Sequence, residues 1–206
     1  MEKVITLVFH NQGLRSYIEV DLCAQCPRQD DKGCCGFYSP VFYPTDLAYL
    51  LLNEPDLLNY IFSLDHLTIL DASVTVNNTI EGSSYRCRFH SKENGCILSQ
   101  HLRESICRHF VCSGIGWQEE DSMQDWRDFF DKLTDYEIEV NNHWAEILKE
   151  KGLTLRDPSL RERFFDELSN LYEEGFKNLP DFVTTMPERD TRSLTRPLKF
   201  GPDWIL

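Results

Sequence analysis

The sequence predicts an α+β protein in which small N-terminal β-hairpins and short helices surround a cysteine-ligated metal centre, followed by an α-helical half. Three observations carry this. All eight cysteines fall between residues 23 and 112. Period-two alternation bounded by turn residues marks strands in the same region. From about residue 119, apolar residues recur at three- and four-residue spacing with acids between them. The corresponding division is a cysteine-cluster domain over 1–118, a helical hairpin packed on it over 119–179, and an extended tail over 180–206.

In chain order, residues 4–22 read as a hairpin: "VITLVF", a turn at Asn11-Gln12-Gly13, then "SYIEVDL". The thiol-rich loop "CAQCPRQDDKGCC" follows. "YPTDLAYLLLNEPDLLNYIF" offers Thr45 or Asp46 as an N-cap and predicts a helix broken near Pro55 and restarted. "LTILDASVTV" and "SSYRCRFH" read as two strands separated by Asn77-Asn78, and "LSQHLRESICRHF" as a short helix.

Beyond 119, Trp126, Phe129, Phe130, Leu133, Tyr136, Val140, Trp144, Ile147 and Leu148 form one stripe, read as core with the acids on the opposite face. Lys149, Lys151 and Gly152 supply the end of that helix. Asp157-Pro158 begins a second amphipathic helix carrying Leu160, Phe164, Leu168, Leu171 and Tyr172. The last 27 residues, with their prolines, read as extended surface chain. In "RDTRSLTRPLK", Arg189, Arg192, Arg196 and Lys199 face only Asp190 and read as a solvated tail.

Hydrophobic residues make up 41% of the chain, enough for a core that does not depend on disulfides. The formal charge of −13 repels phosphate backbones, so nucleic acid and anionic membrane are not expected partners. The start "MEKVITLVFHNQG" lacks the pattern of a signal peptide, and "LAYLLL" is too short to cross a bilayer. A cytoplasmic location is therefore expected, where clustered thiols bind metal or do redox chemistry more often than they pair.

The cysteines fall into two sets: Cys23, Cys26, Cys34 and Cys35, then Cys87, Cys96, Cys107 and Cys112. Cys23-x-x-Cys26 has the spacing that lets two sulfurs of one turn reach one ion. Soft thiolates select zinc or an iron–sulfur cluster, and the expected cofactor is one of these. Adjacent Cys34 and Cys35 diverge in an extended segment, so they would serve two metals, bridge a polynuclear site, or divide into a ligand and a buried thiol. A disulfide framework, a thioredoxin-type exchange pair and simple burial are the competing readings, the last weighing most on Cys112. His90, His101 and His109 lie near cysteines and are read as supporting or surface residues. Arg103 and Arg108 flank Cys107 and would offset thiolate charge, or else form surface salt bridges.

Cys-x-x-Cys, a Cys-Cys pair, Cys-x-Phe, Gly-Cys-Ile and Arg-x-x-x-Cys-Arg-x-Phe together resemble the bacterial YkgJ-type cysteine-cluster proteins. These are described as zinc- or iron-chelating domains, and flagellin lysine N-methylases carry a similar core. The matching residues are Cys23, Cys26, Cys34, Cys35, Cys87, Phe89, Gly95, Cys96, Ile97, Arg103, Cys107, Arg108 and Phe110, across roughly 20–112. Two features depart from the family's pattern: seven residues separate Cys26 from Cys34, and Glu104 stands where that family usually has proline. The resemblance implies a metal or iron–sulfur centre without implying an activity.

An S-adenosylmethionine-dependent lysine methyltransferase is the enzymatic alternative. Gly114-x-Gly116, the one glycine signal, reads as a turn rather than a cofactor loop. The third reading is an interaction module whose acidic helices present Trp126, Trp144 and carboxylates to a basic protein partner.

Overall fold

The computed structural model of this chain describes residues 2–20, 22, 34–82, 84–91, 93–112 and 115–197. Strand β1 (Glu2–His10) alternates as expected, burying Ile5, Leu7 and Phe9, and it returns as β2 (Tyr17–Glu19). Helix α1 (Cys34–Phe37) is a single turn, followed by β3 (Val41–Phe42). Helices α2 (Pro44–Asn53) and α3 (Pro55–Ser63) meet at the expected proline break.

The start of α2 corrects the expected cap. Pro44 occupies the first turn, where its missing N–H costs nothing, so Tyr43 is the N-cap. Asp46 sits three residues on, and its carboxylate accepts from the Tyr43 amide at 3.2 Å.

"LTILDASVTV" is two strands rather than one. The Leu70 amide bonds the Ser73 carbonyl at 2.9 Å, folding β4 (Leu67–Ile69) onto β5 (Val74–Val76). Strand β3 completes this sheet in the order β3-β5-β4. Two small hairpins follow, β6 (Thr79–Glu81) with β7 (Ser84–Arg86), then β8 (His90–Ser91) with β9 (Gly95–Cys96). The expected cysteine helix is shorter than its pattern. Gln100–Leu102 form a 3-10 turn, and α4 spans Ser105–His109 alone.

Helix α5 (Gln124–Glu150) begins after two 3-10 turns and ends near Gly152, which takes φ 68°. Asp157 caps a 3-10 turn that leads into α6 (Arg161–Lys177). At 27 residues α5 is about 40 Å long, enough to serve two cores. Its first half packs Trp126, Phe129, Phe130 and Leu133 against the β1 sheet. The Phe9 ring stacks on Trp126 with centroids 4.8 Å apart. Its second half packs Trp144 and Leu148 against α2, α6 and the β3-β5-β4 sheet.

The stripe on α5 is corrected in its middle. Glu137 and Asn141 are buried, whereas Tyr136 and Val140 are half-buried. The acids are therefore not all on the outer face. Trp126 and Trp144 are 0% and 5% exposed, so neither is presented to a partner as the interaction reading required.

The tail is also corrected. After the short α7 (Asp181–Thr184), β10 (Arg189–Pro197) pairs with all of β1, from Glu2↔Pro197 to His10↔Arg189, in a sheet ordered β10-β1-β2. Pairing satisfies backbone groups that β1 would otherwise expose along one edge. Two of its three arginines are not solvated singly, whereas Arg189 is exposed. Arg192 bonds Asp190 at 2.6 Å and Asp125 at 3.2 Å, and Arg196 bonds Glu120 at 2.5 Å with Glu119 3.5 Å away. Lys199 lies outside the described residues. Among the described residues, no helix is long and apolar enough to cross a membrane.

Candidate metal centre

Four stretches of chain bring cysteines to one place. The turn α1 supplies Cys35, the residue after β7 is Cys87, β9 ends on Cys96, and α4 with its exit supplies Cys107 and Cys112. Local bonding fixes these pieces together. The Cys87 amide donates to the Cys35 carbonyl at 2.5 Å, and β8 registers His90 opposite Cys96. Gly95, at φ 69°, gives the tight turn that delivers Cys96.

All five thiols line a cavity of about 320 Å³ whose remaining wall is mostly apolar and includes Phe42, Phe89, Leu98 and Phe110. Each of the five is partly buried and none is in a disulfide. Tyr38, Gln100, Arg103 and Glu104 supply the polar part of the wall. Cys23 and Cys26 lie outside the described residues, as does the side chain of Cys34. Cys34 and Cys35 lie in a helical turn rather than in the extended segment expected of them. Among the described residues, no three histidine, cysteine or acidic side chains stand close enough together to hold one ion.

Burial governs the chemistry of this wall. Glu104 is 1% exposed, and its carboxyl is pushed up to about 7, chiefly by burial and secondly by the nearby Asp46. It caps α4 by accepting from the Cys107 amide at 2.9 Å and the Ile106 amide at 3.0 Å. Burial also pushes the Cys107 thiol well up, with Glu104 and the neighbouring Cys96 and Cys87 adding to it. In the metal-free chain this thiol therefore holds its proton, and a cation would have to displace it.

The two expected arginines part company. Arg103 lines the cavity, and its Nε donates to the Leu98 carbonyl at 3.0 Å. Arg108 points elsewhere, which corrects its expected role beside the thiols. It is fully buried, gripping both Glu137 oxygens at 3.0 and 3.1 Å, donating to the Ser16 carbonyl at 2.6 Å, and lying 3.6 Å from Asp46. Asp46 in turn bonds Arg15 at 2.5 Å. Arg15 also donates to the carbonyls of His101 and of Arg103, the latter at 3.0 Å. Burial and the neighbouring Arg108 lower the Arg15 guanidinium to about 10, which leaves it charged at neutral pH.

This buried cluster was missed by the sequence reading. Its signal was present: Glu137 and Asn141 stand one heptad before Trp144 and Leu148, inside the buried stripe rather than beside it. Asn141 accepts from the Thr45 amide at 2.9 Å, and Glu137 accepts from Ser105 at 2.5 Å. The cluster thus joins the first hairpin, α2, α4 and α5.

The histidines stay off the cavity wall. His109 is partly buried, 3.3 Å from Thr134, and its ring is held well below the ordinary histidine range by desolvation and then by Arg108. His101 tilts against Tyr17, and His90 is half-buried on β8. Gly116, in the left-handed region at φ 59°, marks the expected turn, and a Cβ there would meet the Arg196 guanidinium.

No family model, curated protein or solved structure matches this chain.

Proposed function

We propose that this chain is a metal-binding protein whose clustered cysteines hold zinc or an iron–sulfur cluster. The supporting observation is the convergence of Cys35, Cys87, Cys96, Cys107 and Cys112, from four separate stretches, on one largely apolar cavity. Thiols scattered as small core residues would have no reason to share a wall. The donor chemistry fits a soft or borderline ion, and the remaining candidates are Cys23, Cys26 and Cys34. A bound metal would tie α1, the two small hairpins and α4 together, making its binding free energy part of the folding free energy.

Metal analysis and an absorption spectrum of the full chain purified without oxygen test this. Zinc in near-stoichiometric amount with a colourless protein, or iron and sulfide with visible charge-transfer bands, is the expected result. Protein free of both metals, with all eight thiols reactive after unfolding, would overturn the proposal.

A further inference from the structure

A second concave surface lies away from the thiols, between α5 and α6, as an open groove of about 500 Å³. On α5, Tyr136, Val140 and Ile147 line it at helical spacing, each half-buried rather than sealed into a core. Leu171 faces them from α6, and the buried Trp144 lies beneath. Gly175 makes this close approach possible, because a Cβ there would come within 2.8 Å of the Trp144 ring. Among the described residues, no further helix or strand covers the apolar wall.

The rim of this groove is acidic. Glu139 and Glu174 line it from opposite helices. Asp135 and Glu146 continue the Glu139 edge of α5, one turn before it and two turns after. All four are exposed, and among the described residues none of them makes an ion pair. Acids elsewhere on the helical half do find cations: Asp125 meets Arg192, Glu120 meets Arg196 and Glu167 meets Lys151. No lysine or arginine lines the groove. Carboxylates beside low-dielectric apolar walls focus a negative potential into a cleft, which favours a cationic occupant. A second copy of this chain fits poorly, since its formal charge of −13 repels the same rim.

We propose that the α5–α6 groove docks an amphipathic basic helix of a partner protein. The partner's apolar residues, at i, i+3, i+4 and i+7, lie against Val140, Ile147 and Leu171, while its lysines or arginines meet Glu139 and Glu174. From Tyr136 to Ile147 the α5 wall is about 16 Å long, room for roughly three turns of such a helix. Laid there, the partner packs as a third helix over two. Trp144 stays buried beneath the contact, so the surface needs no exposed tryptophan. The proposal is independent of the metal reading, since neither α5 nor α6 contains a cysteine.

A dye-labelled synthetic helix with leucines at those spacings and flanking lysines, titrated with the full chain by fluorescence anisotropy, tests this. The controls are a scrambled peptide of the same composition and a peptide with glutamate in place of lysine. The basic amphipathic helix should bind at least about tenfold more tightly than either. Amide hydrogen exchange should slow over 136–147 and 171–178 on binding. Glu139→Gln combined with Glu174→Gln, at two exposed positions, should weaken binding about fivefold. Ile147→Lys should weaken it about tenfold or more, with circular dichroism checking that α5 is intact. Should Ile147→Lys unfold, the glutamine pair still decides, because unchanged affinity there would overturn the proposal. Equal binding of the scrambled peptide would reduce the effect to net charge and overturn it, as would protection outside these two helices or no binding at all. Self-association of the free chain that protects the same amides would give the groove to a second copy, and would overturn it too.

Discussion

Cys107 and Arg108 are neighbours on one short helix, yet they enter opposite kinds of interior. Cys107 faces the cavity that Cys35, Cys87, Cys96 and Cys112 also line. Arg108 faces the charge cluster, where Arg15, Asp46, Arg108 and Glu137 satisfy one another almost completely at 0–1% exposure. The difference teaches how to separate scaffold from site. Charged groups that saturate each other hold elements in place, and soft donors that converge on one cavity wall mark a candidate site. Cys107 and Arg108 thus couple the candidate centre to the long helix α5 through one turn of chain.

The comparison breaks hardest at Glu137. Glu137→Ala leaves Arg108 buried beside Asp46 alone, and should cost about 3–5 kcal/mol in urea unfolding. Adding Arg108→Met should recover most of that loss, since Arg15 and Asp46 then remain as a complete pair. If Glu137→Ala, studied where it is still folded, lost as much metal as a cysteine variant does, the division between scaffold and site would fail.

A middle-sized effect is expected on the other face of α4. Cys107→Ser should lower metal content and melting temperature together and cost at least about 2 kcal/mol of folding stability, because structural zinc contributes roughly 10–16 kcal/mol in small domains. Cys112→Ser should do much less, since Cys112 lies past the helix and packs against the β1-sheet core. Helix α5 keeps its own apolar seam and should retain most of its helical signal in both. Equal metal loss in the two variants would place Cys112 among the ligands.

The smallest effect lies at the edge of the sheet core. The Trp126 indole N–H donates to Asp190 at 2.9 Å and holds this carboxyl below its ordinary value of 3.8. A depressed folded value means stability that is present above the unfolded value and is lost as pH falls through the folded one. Asp190→Ala should therefore cost about 1 kcal/mol at neutral pH, a charged hydrogen bond discounted for partial exposure, with a shift in tryptophan emission. As pH falls below the ordinary value of 3.8 and then through the lower folded value, the difference from wild type should shrink. A difference that did not change with pH would mean that the charge on Asp190 plays no part.

Much of the framework was legible in residues that act on near neighbours. The first hairpin, the break at Pro55, the helix end near Gly152 and the aromatic seam of α5 all follow from local turns and periodicity. The candidate site was partly legible too, because cysteine identity and number are chemical facts of the sequence. What the pattern misjudged were residues whose neighbours are remote. The 67–76 segment looks like one strand until Leu70 and Ser73 close a turn, and β10 has Leu194 as the one apolar residue on its inward face, too little for alternation to reveal.

The sequence by itself determined the fold class, the set of available thiols and the amphipathic faces, since these depend on residue type and spacing alone. Only the tertiary structure decided where the charges go. Arg108 finds its partners on α5 and the first hairpin, Arg192 and Arg196 find theirs at the start of the helical half, and Glu104 is left on the wall with the thiols. The reason is physical: an ionic group's role is set by whatever lies within a few ångströms in a low-dielectric interior, and chain separation says nothing about that distance.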